Sequence, residues 1–325
     1  MTKIEVLKLL ADGEFHSGQE LADLVGVSRT AVWKQLGKVS ELGIKVESVK
    51  GRGYRLVGGL QLLEEGLIRS NLSEETVALL TELQLPGVID STNTVALNRI
   101  LDGSAQGFVC CAEQQTAGRG RRGRTWVSPY GSNIYMSVTW TFEDGAAALE
   151  GLSLAIGVAV CEALEELGLL ELKLKWPNDV LFKGRKLAGI LLEMVGDAAG
   201  PCQVVVGLGV NLKMPAKSGQ EINQEWTDIT NVPGGKKIDR NKLQAALLNS
   251  LLPALQRFKS KGFSSFRERW VMRDAFVGQS VVVIIGERKI SGHALGVDEH
   301  GALLLGTAEG VKKFNGGEVS LRVEK

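Results

Sequence analysis

Four arginines and three glycines crowd into seven residues, Gly118-Arg119-Gly120-Arg121-Arg122-Gly123-Arg124, and that heptad limits what the chain around it can be. Four guanidinium groups cannot be buried together, so the segment must be a loop carried by a scaffold built elsewhere. Glycine permits tight turns and close approach of backbone to a ligand, and each guanidinium offers a planar fork of donors matched to carboxylate and phosphate. Three readings compete. The heptad satisfies Gly-x-Gly-x-x-Gly, the dinucleotide fingerprint, but that motif needs a helix opening at its third glycine. The residues after it, Thr125 to Ser137, read as strand and turn instead. A plain solvated basic loop is the second reading, and an anion-cradling loop the third. The rest of the chain decides among them.

Residues 1–60 carry their own punctuation. Ile4, Leu7, Leu9 and Leu10 predict a first helix that Gly13 ends, and Ser17-Gly18-Gln19-Glu20 has the capping-box pattern for a second. Gly26 turns the chain, and Ser28 caps a third helix that closes before Gly43. Two alternating runs then flank Lys50-Gly51-Arg52-Gly53, a hairpin, so the unit reads as a winged helix-turn-helix. Ser28 to Val57 holds seven basic residues against two acidic ones. Ser28, Arg29, Thr30, Lys34, Gln35, Lys50 and Arg52 are therefore the candidate DNA contacts. A winged helix used only for protein contact is the alternative. The net charge of the whole chain is +1, which argues against wholesale coating of nucleic acid and makes any DNA contact local.

Residues 61–84 read as connecting helices, with Ser73 capping the second. A larger unit, 85–272, follows Pro86-Gly87. Ser91-Thr92-Asn93 stands where a strand meets a helix; its ordinary reading is capping, its other reading a polar ligand contact. Leu149 to Leu167 predicts a long apolar helix. Lys186, at the start of a buried strand, reads as a solvated strand end unless an anion meets it. Gly207 and Gly209 interrupt a β-branched strand on one side, a place where something approaches closely. Residues 273–325 alternate in short β runs, predicting a small β-barrel. Cys110, Cys111, Cys161 and Cys202 form no Cys-x-x-Cys pair, and His16, His293 and His300 lie far apart, which disfavours a zinc site or a Ser/His/Asp triad. No apolar run approaches the roughly 20 residues that span a bilayer, and charges interrupt the N-terminus where a signal peptide would be apolar. A cytoplasmic chain without membrane contact is expected.

Taken together, the arginine heptad, Asp90-Ser91-Thr92-Asn93, Lys175-Trp176-Pro177-Asn178-Asp179, Arg185-Lys186-Leu187-Ala188-Gly189-Ile190 and Gly207-Leu208-Gly209-Val210-Asn211 resemble the motifs of bifunctional biotin protein ligases that also repress the biotin operon. The resemblance covers the whole chain. It implies an α+β multidomain fold: a winged helix, a mixed α/β catalytic domain of class II synthetase-like type, and an SH3-like barrel. It implies two steps, in which biotin and ATP give biotinyl-5′-adenylate and a lysine of the biotin carboxyl carrier protein then takes the biotinyl group. Carried over to matching positions, Arg121 and Lys186 would be catalytic. Ser91, Thr92, Asn93, Gln115, Arg119, Gly120, Gly207 and Gly209 would surround biotin, together with Arg121 and Lys186. Arg124, Trp126, Asn178, Asn211 and Arg322 would meet the adenylate, and Asp179 would meet Mg²⁺ through the phosphates. The resemblance also implies that the arginine loop orders around biotin and that the adenylate-bound protein forms a homodimer on operator DNA. A lipoate protein ligase, a ligase with a vestigial winged helix and a metabolite-sensing transcription factor are the rival readings.

Overall fold

A computed structural model of the chain describes residues 5–103, 106–143, 145, 149–196, 200–316 and 319–323. Ile4, placed in the first predicted helix, lies outside them. The N-terminal unit holds helices Glu5–Leu10, Gly18–Val25 and Arg29–Glu41 and the antiparallel hairpin Val46–Val49/Gly53–Leu56. Both halves of the Ser17–Glu20 capping box form, Gly26 takes the left-handed conformation that ends the second helix, and the Ser28 hydroxyl accepts from the Ala31 amide. Val6, Leu10, Leu21, Val32, Leu36, Val39 and Leu56 fill a separate small core. The second hairpin strand is tied back to the segment before the second helix, where His16 and Tyr54 exchange both backbone hydrogen bonds. A Cβ on Gly53 would lie 2.0 Å from the His16 carbonyl, so glycine is required for that contact.

The central unit is a seven-stranded sheet in the order Glu82–Gln84, Phe108–Cys111, Ile134–Phe142, Cys202–Val210, Arg185–Gly196, Asp179–Phe182, Leu172–Lys175. Neighbours are antiparallel except the first pair. Alternation along the strands divides its faces. Val204, Val206, Leu208 and Val210 point into the large core with helices Leu152–Glu166 and Arg240–Lys261, whereas Val205 packs with Ala96 and Ile100 of helix Thr92–Leu101 on the other face. Gly207 and Gly209 share that second face by the same alternation, which leaves it bare there. Glu82–Gln84, expected at the end of the connector, is instead the parallel edge strand of this sheet. The short helices Glu65–Arg69 and Glu74–Leu79 pack on Arg240–Lys261, so the connector is part of the central unit.

The C-terminal unit is a five-stranded antiparallel sheet, ordered Gly310–Phe314, Leu303–Thr307, Arg288–Val297, Ser280–Ile285, Val319–Val323. Its Val281, Val283, Leu303, Leu305 and Leu321 belong to the same buried cluster as the central domain. The Trp176 indole donates to the Gly301 carbonyl across the joint at 3.1 Å.

Where the winged unit meets the central domain, Arg240 is 1% exposed and makes four hydrogen bonds. Its Nε and Nη2 donate to the Asn133 carbonyl at 3.0 and 2.9 Å, and its Nη1 donates to the Gln61 carbonyl and to the Glu113 carboxylate. Glu113 also accepts from the Leu63 amide at 2.6 Å. Removing one partner of a buried ion pair strands the other charge, which costs about 3–5 kcal/mol. Arg240→Ala is expected to lower the unfolding free energy by that amount in urea titration. Glu113→Gln/Arg240→Met together should cost less than the sum of the two single changes.

Candidate active site

The arginine heptad folds as a tight clasp. Trp126 N donates to the Gly118 carbonyl at 2.8 Å and Gly120 N to the Arg124 carbonyl at 2.7 Å, and Arg121–Gly123 makes one 3₁₀ turn with Arg122 left-handed at φ 59. The chain leaves that turn in extended conformation, so no helix opens at the third glycine and the dinucleotide reading is excluded. The clasp lies over the second face of the sheet and encloses a pocket with the start of helix Thr92–Leu101 on one side and strand Arg185–Gly196 on the other.

One end of this pocket is neutral and hydrogen-bonding. Ser91, Thr92 and Asn93 are all buried there, yet Ser91 at the N-cap position makes no side-chain capping bond. The Thr92 amide and hydroxyl instead donate to Gln115 Oε1 at 2.9 and 3.1 Å, and Gln115 Nε2 donates to Ser128 at 3.2 Å. Ser137, fully buried on the strand beneath, donates to Asn93 Oδ1 at 2.6 Å, and Asn93 donates to Glu193. The tripeptide's ordinary capping reading is thus corrected: its side chains point at the pocket floor. Ser137, Ser128 and Glu193 were not singled out from the sequence. A serine at an inward position of an apolar strand was the available signal for Ser137.

The other end is cationic. Lys186 Nζ lies 2.7 Å from Asp179 Oδ1, with both side chains 16% exposed, so Lys186 is not the solvated strand end it resembled. It also stands 5.4 Å from the centroid of the Trp126 ring. Arg121 donates to Asn178 Oδ1 at 3.0 Å and to the Gly316 carbonyl, which brings the C-terminal unit to the pocket edge. Lys175, missed from the sequence, joins this cluster. Its ammonium pKa is lowered first by burial, against the opposing pull of Asp179, and then by Lys186, Arg322 and Arg124. Five cations therefore converge around a single carboxylate, a field suited to a polyanion.

Trp126 seats its indole in the notch left by two glycines. A Cβ on Gly209 would lie 2.3 Å from the ring and one on Gly189 3.0 Å from it; a Cβ on Gly207 would lie 2.3 Å from Asn93 Oδ1. The glycines expected to admit a ligand thus also admit Trp126 and Asn93. With the indole in place the free space is about 40 Å³, room for a few waters at about 10–15 Å³ each and narrower than a ligand with a ring system needs. The Trp126 Nε1–H is buried without a partner among the described residues, a donor that a ligand's acceptor would satisfy.

Not every expected residue meets the pocket. Arg119 lines it, but its guanidinium is held by Glu193 at 3.1 Å and by the Thr94 hydroxyl at 2.9 Å. Asn211 is buried away from it and donates to the Thr227 carbonyl at 3.0 Å. Arg124 and Arg322 are exposed and reach the site through their field on Lys175. On the winged unit Arg29, Thr30, Lys34 and Lys50 are exposed, and Arg52 lies 4.1 Å over the Phe15 ring. Gln35 is half-buried and accepts from the Val6 amide at 3.3 Å, so it braces the first helix instead of facing outward.

A cation-ended pocket on a glycine-notched sheet, closed by an arginine clasp, suits a ligand with an anionic end. The model of the Biotin/lipoate A/B protein ligase family matches residues 85–211, an HTH domain matches 2–55, and the Biotin protein ligase C terminal domain matches 276–322. The bifunctional ligase/repressor BirA of Salmonella typhimurium is 44% identical over 319 residues, covering 98% of this chain and 97% of that protein. The Escherichia coli K12 protein of the same name is 42% identical, with the same coverage. The structure of the biotin protein ligase from Aquifex aeolicus in complex with biotin and ATP superposes with a TM-score of 0.64 at 32% identity, covering 75% of this chain and 100% of that one. The chain belongs to the family of bifunctional biotin ligase/repressors.

Gly207→Ala is expected to displace Asn93 and raise the KM for biotin about tenfold or more, a loss of about 1.4 kcal/mol, with far-UV circular dichroism unchanged. A KM equal to that of the native chain would show that Asn93 does not position the ligand.

Proposed function

We propose that this protein joins biotin to a lysine of the biotin carboxyl carrier protein of acetyl-CoA carboxylase through biotinyl-5′-adenylate, and represses biotin-biosynthesis genes when that adenylate occupies its site. The observation that carries the reading is the pocket's polarity: a neutral hydrogen-bonding end and a cationic end meet across the arginine clasp. Ser91, Thr92, Asn93 and Gln115 would hold the biotin ring system, leaving its carboxylate toward Arg121 and Lys186. A carboxylate oxygen attacks the α-phosphorus of ATP and pyrophosphate leaves. Like charges must come together for this, and fixed cations in a low-dielectric site offset that repulsion. Arg121 and Lys186 supply the neutralisation, with Lys175, Arg124 and Arg322 extending the field toward the triphosphate.

In the second step the acceptor amine attacks the acyl carbon and AMP leaves. A free lysine has a pKa of about 10.4 and must lose a proton first. Asp179 is the carboxylate in the cluster, and it becomes available as base once phosphate draws Lys186 away. Mg²⁺ would enter bound to the triphosphate. Among the described residues no three His, Cys, Asp or Glu side chains come together to hold a metal, so Asp179 would assist only through the phosphates. Trp126 would leave its glycine notch to cover the adenylate, its unpartnered Nε1–H finding an acceptor there.

The strand Arg185–Gly196 pairs with Asp179–Phe182 only as far as Gly189, and Met194 on its remaining length is exposed. That free edge supports homodimerisation of the adenylate-bound form, which would present two winged units to a palindromic operator. Four free, buried cysteines, and no helix among the described residues able to cross a membrane, support a cytoplasmic setting.

Biotin-dependent exchange of pyrophosphate into ATP tests the first half-reaction. Native protein should exchange with biotin and not with lipoate, and Lys186→Ala and Arg121→Ala should each lose about 100-fold or more in kcat; exchange driven equally by lipoate would reassign the substrate. In equilibrium sedimentation, a non-hydrolysable adenylate analogue should shift monomer to dimer, and an unchanged monomer fraction would remove the dimer from the scheme.

A further inference from the structure

The most exposed tryptophan in the chain lies on the helix that a helix-turn-helix inserts into DNA. Trp33 is 68% exposed, whereas Trp140, Trp176 and Trp270 are buried and Trp126 and Trp226 are half-buried. Helix Arg29–Glu41 spends Val32, Leu36 and Val39 on its core, which leaves Arg29, Thr30, Trp33, Lys34 and Gly37 together on the opposite, exposed face. About two thirds of Trp33 is therefore open to solvent.

Gly37 makes a second, independent observation. It sits one turn beyond Trp33 in the interior of a 13-residue helix, where glycine is less stable than alanine. A Cβ there would meet nothing within 4 Å, and its φ is not positive. Neither packing nor backbone conformation within this chain calls for glycine. A local rule broken without internal compensation marks a place where something external comes close.

The charge around the patch selects the partner. Arg29 and Lys34 lie four residues before and one after Trp33 on the helix, and Lys38 further along the helix and Lys45 and Lys50 on the hairpin segment are exposed as well. A cationic rim around an apolar centre fits duplex DNA, with phosphates against the rim and base edges against the centre. In the major groove the apolar feature is the thymine C5-methyl group, and the indole's single N–H can meet a purine or thymine acceptor.

We propose that Trp33 reads bases directly: with helix Arg29–Glu41 in the major groove, its indole packs on thymine methyl groups, and Gly37 lets the helix backbone approach the base edges. This rests on the operator-binding reading above and adds to it the residue that confers sequence preference.

The test begins with selection from a random duplex library by the full-length native protein in the presence of biotin and ATP. Affinities of the native protein, Trp33→Ala, Trp33→Phe, Gly37→Ala and Lys34→Ala are then measured for the selected duplex and a scrambled one across a salt series. Trp33→Ala should weaken the selected duplex about tenfold or more while leaving the scrambled duplex and the salt slope unchanged, and Trp33→Phe should recover part of the loss. Repeated selection with Trp33→Ala should lose a T·A preference within each half-site. Gly37→Ala should raise the melting temperature yet weaken the selected duplex. Lys34→Ala, by contrast, should weaken both duplexes and reduce the salt slope by about 1. If Trp33→Ala binds the selected duplex as tightly as the native protein, or loses both duplexes equally, base reading by Trp33 is overturned while DNA binding stands. If the native protein enriches no sequence at all, the operator-binding reading falls and this inference with it.

Discussion

The buried pair of Arg240 and Glu113 ties together three parts of the molecule that would otherwise have little reason to share one arrangement. Arg240 starts the longest helix, Glu113 follows an internal strand, and Gln61 and Leu63 lead out of the winged unit. Taking both charges out of water carries a large penalty, recovered only when the geometry is complete and every donor is used. Here the guanidinium donates four hydrogen bonds, to Glu113, to the Gln61 carbonyl and twice to the Asn133 carbonyl. The pair thus specifies the arrangement more than it stabilises it. Glu113 is also two residues from Gln115, which orients Thr92 at the pocket floor, so the joint between domains and the ligand site share one short stretch of chain.

The site depends on what the sheet omits. Strands Arg185–Gly196 and Cys202–Val210 lack a side chain at Gly189, Gly207 and Gly209, and Asn93 and Trp126 occupy the space left there. Because the indole rests where space was left, it narrows the unliganded pocket. A ligand that displaces the indole moves the clasp, and on the proposed reading that movement links occupancy of the pocket to the surface that a second copy or a carrier protein meets. The catalytic and regulatory readings are joined by that single physical requirement.

Much of this was legible in the residues. The winged unit was readable because its signals are local: Ser17 with Glu20, Gly26, Ser28 and the Lys50–Gly53 turn each act within four residues. The clasp was readable because four arginines cannot be buried, and the pocket glycines because a β-branched strand has no local use for them. What escaped was set by distance. Ser137 and Glu193 look ordinary in their own segments and gain meaning only from Asn93, 44 and 100 residues away, whereas Lys175 gains it from burial beside Asp179 and Lys186 on the neighbouring strands. Arg119, Asn211 and Gln35 had the right chemistry, but nearby groups claimed their side chains.

The sequence by itself determined the winged unit's helices and hairpin and the loop character of the arginine heptad, because propensity, capping and alternation are short-range properties of the chain. Only the tertiary structure decided that Glu82–Gln84 joins the large sheet and that Lys186 faces Asp179 instead of solvent. It alone also showed that an exposed Trp33 and an unexplained Gly37 share one face of a DNA-binding helix. Those facts depend on which surfaces are covered by other parts of the chain, and burial is a property of the folded whole, not of any segment within it.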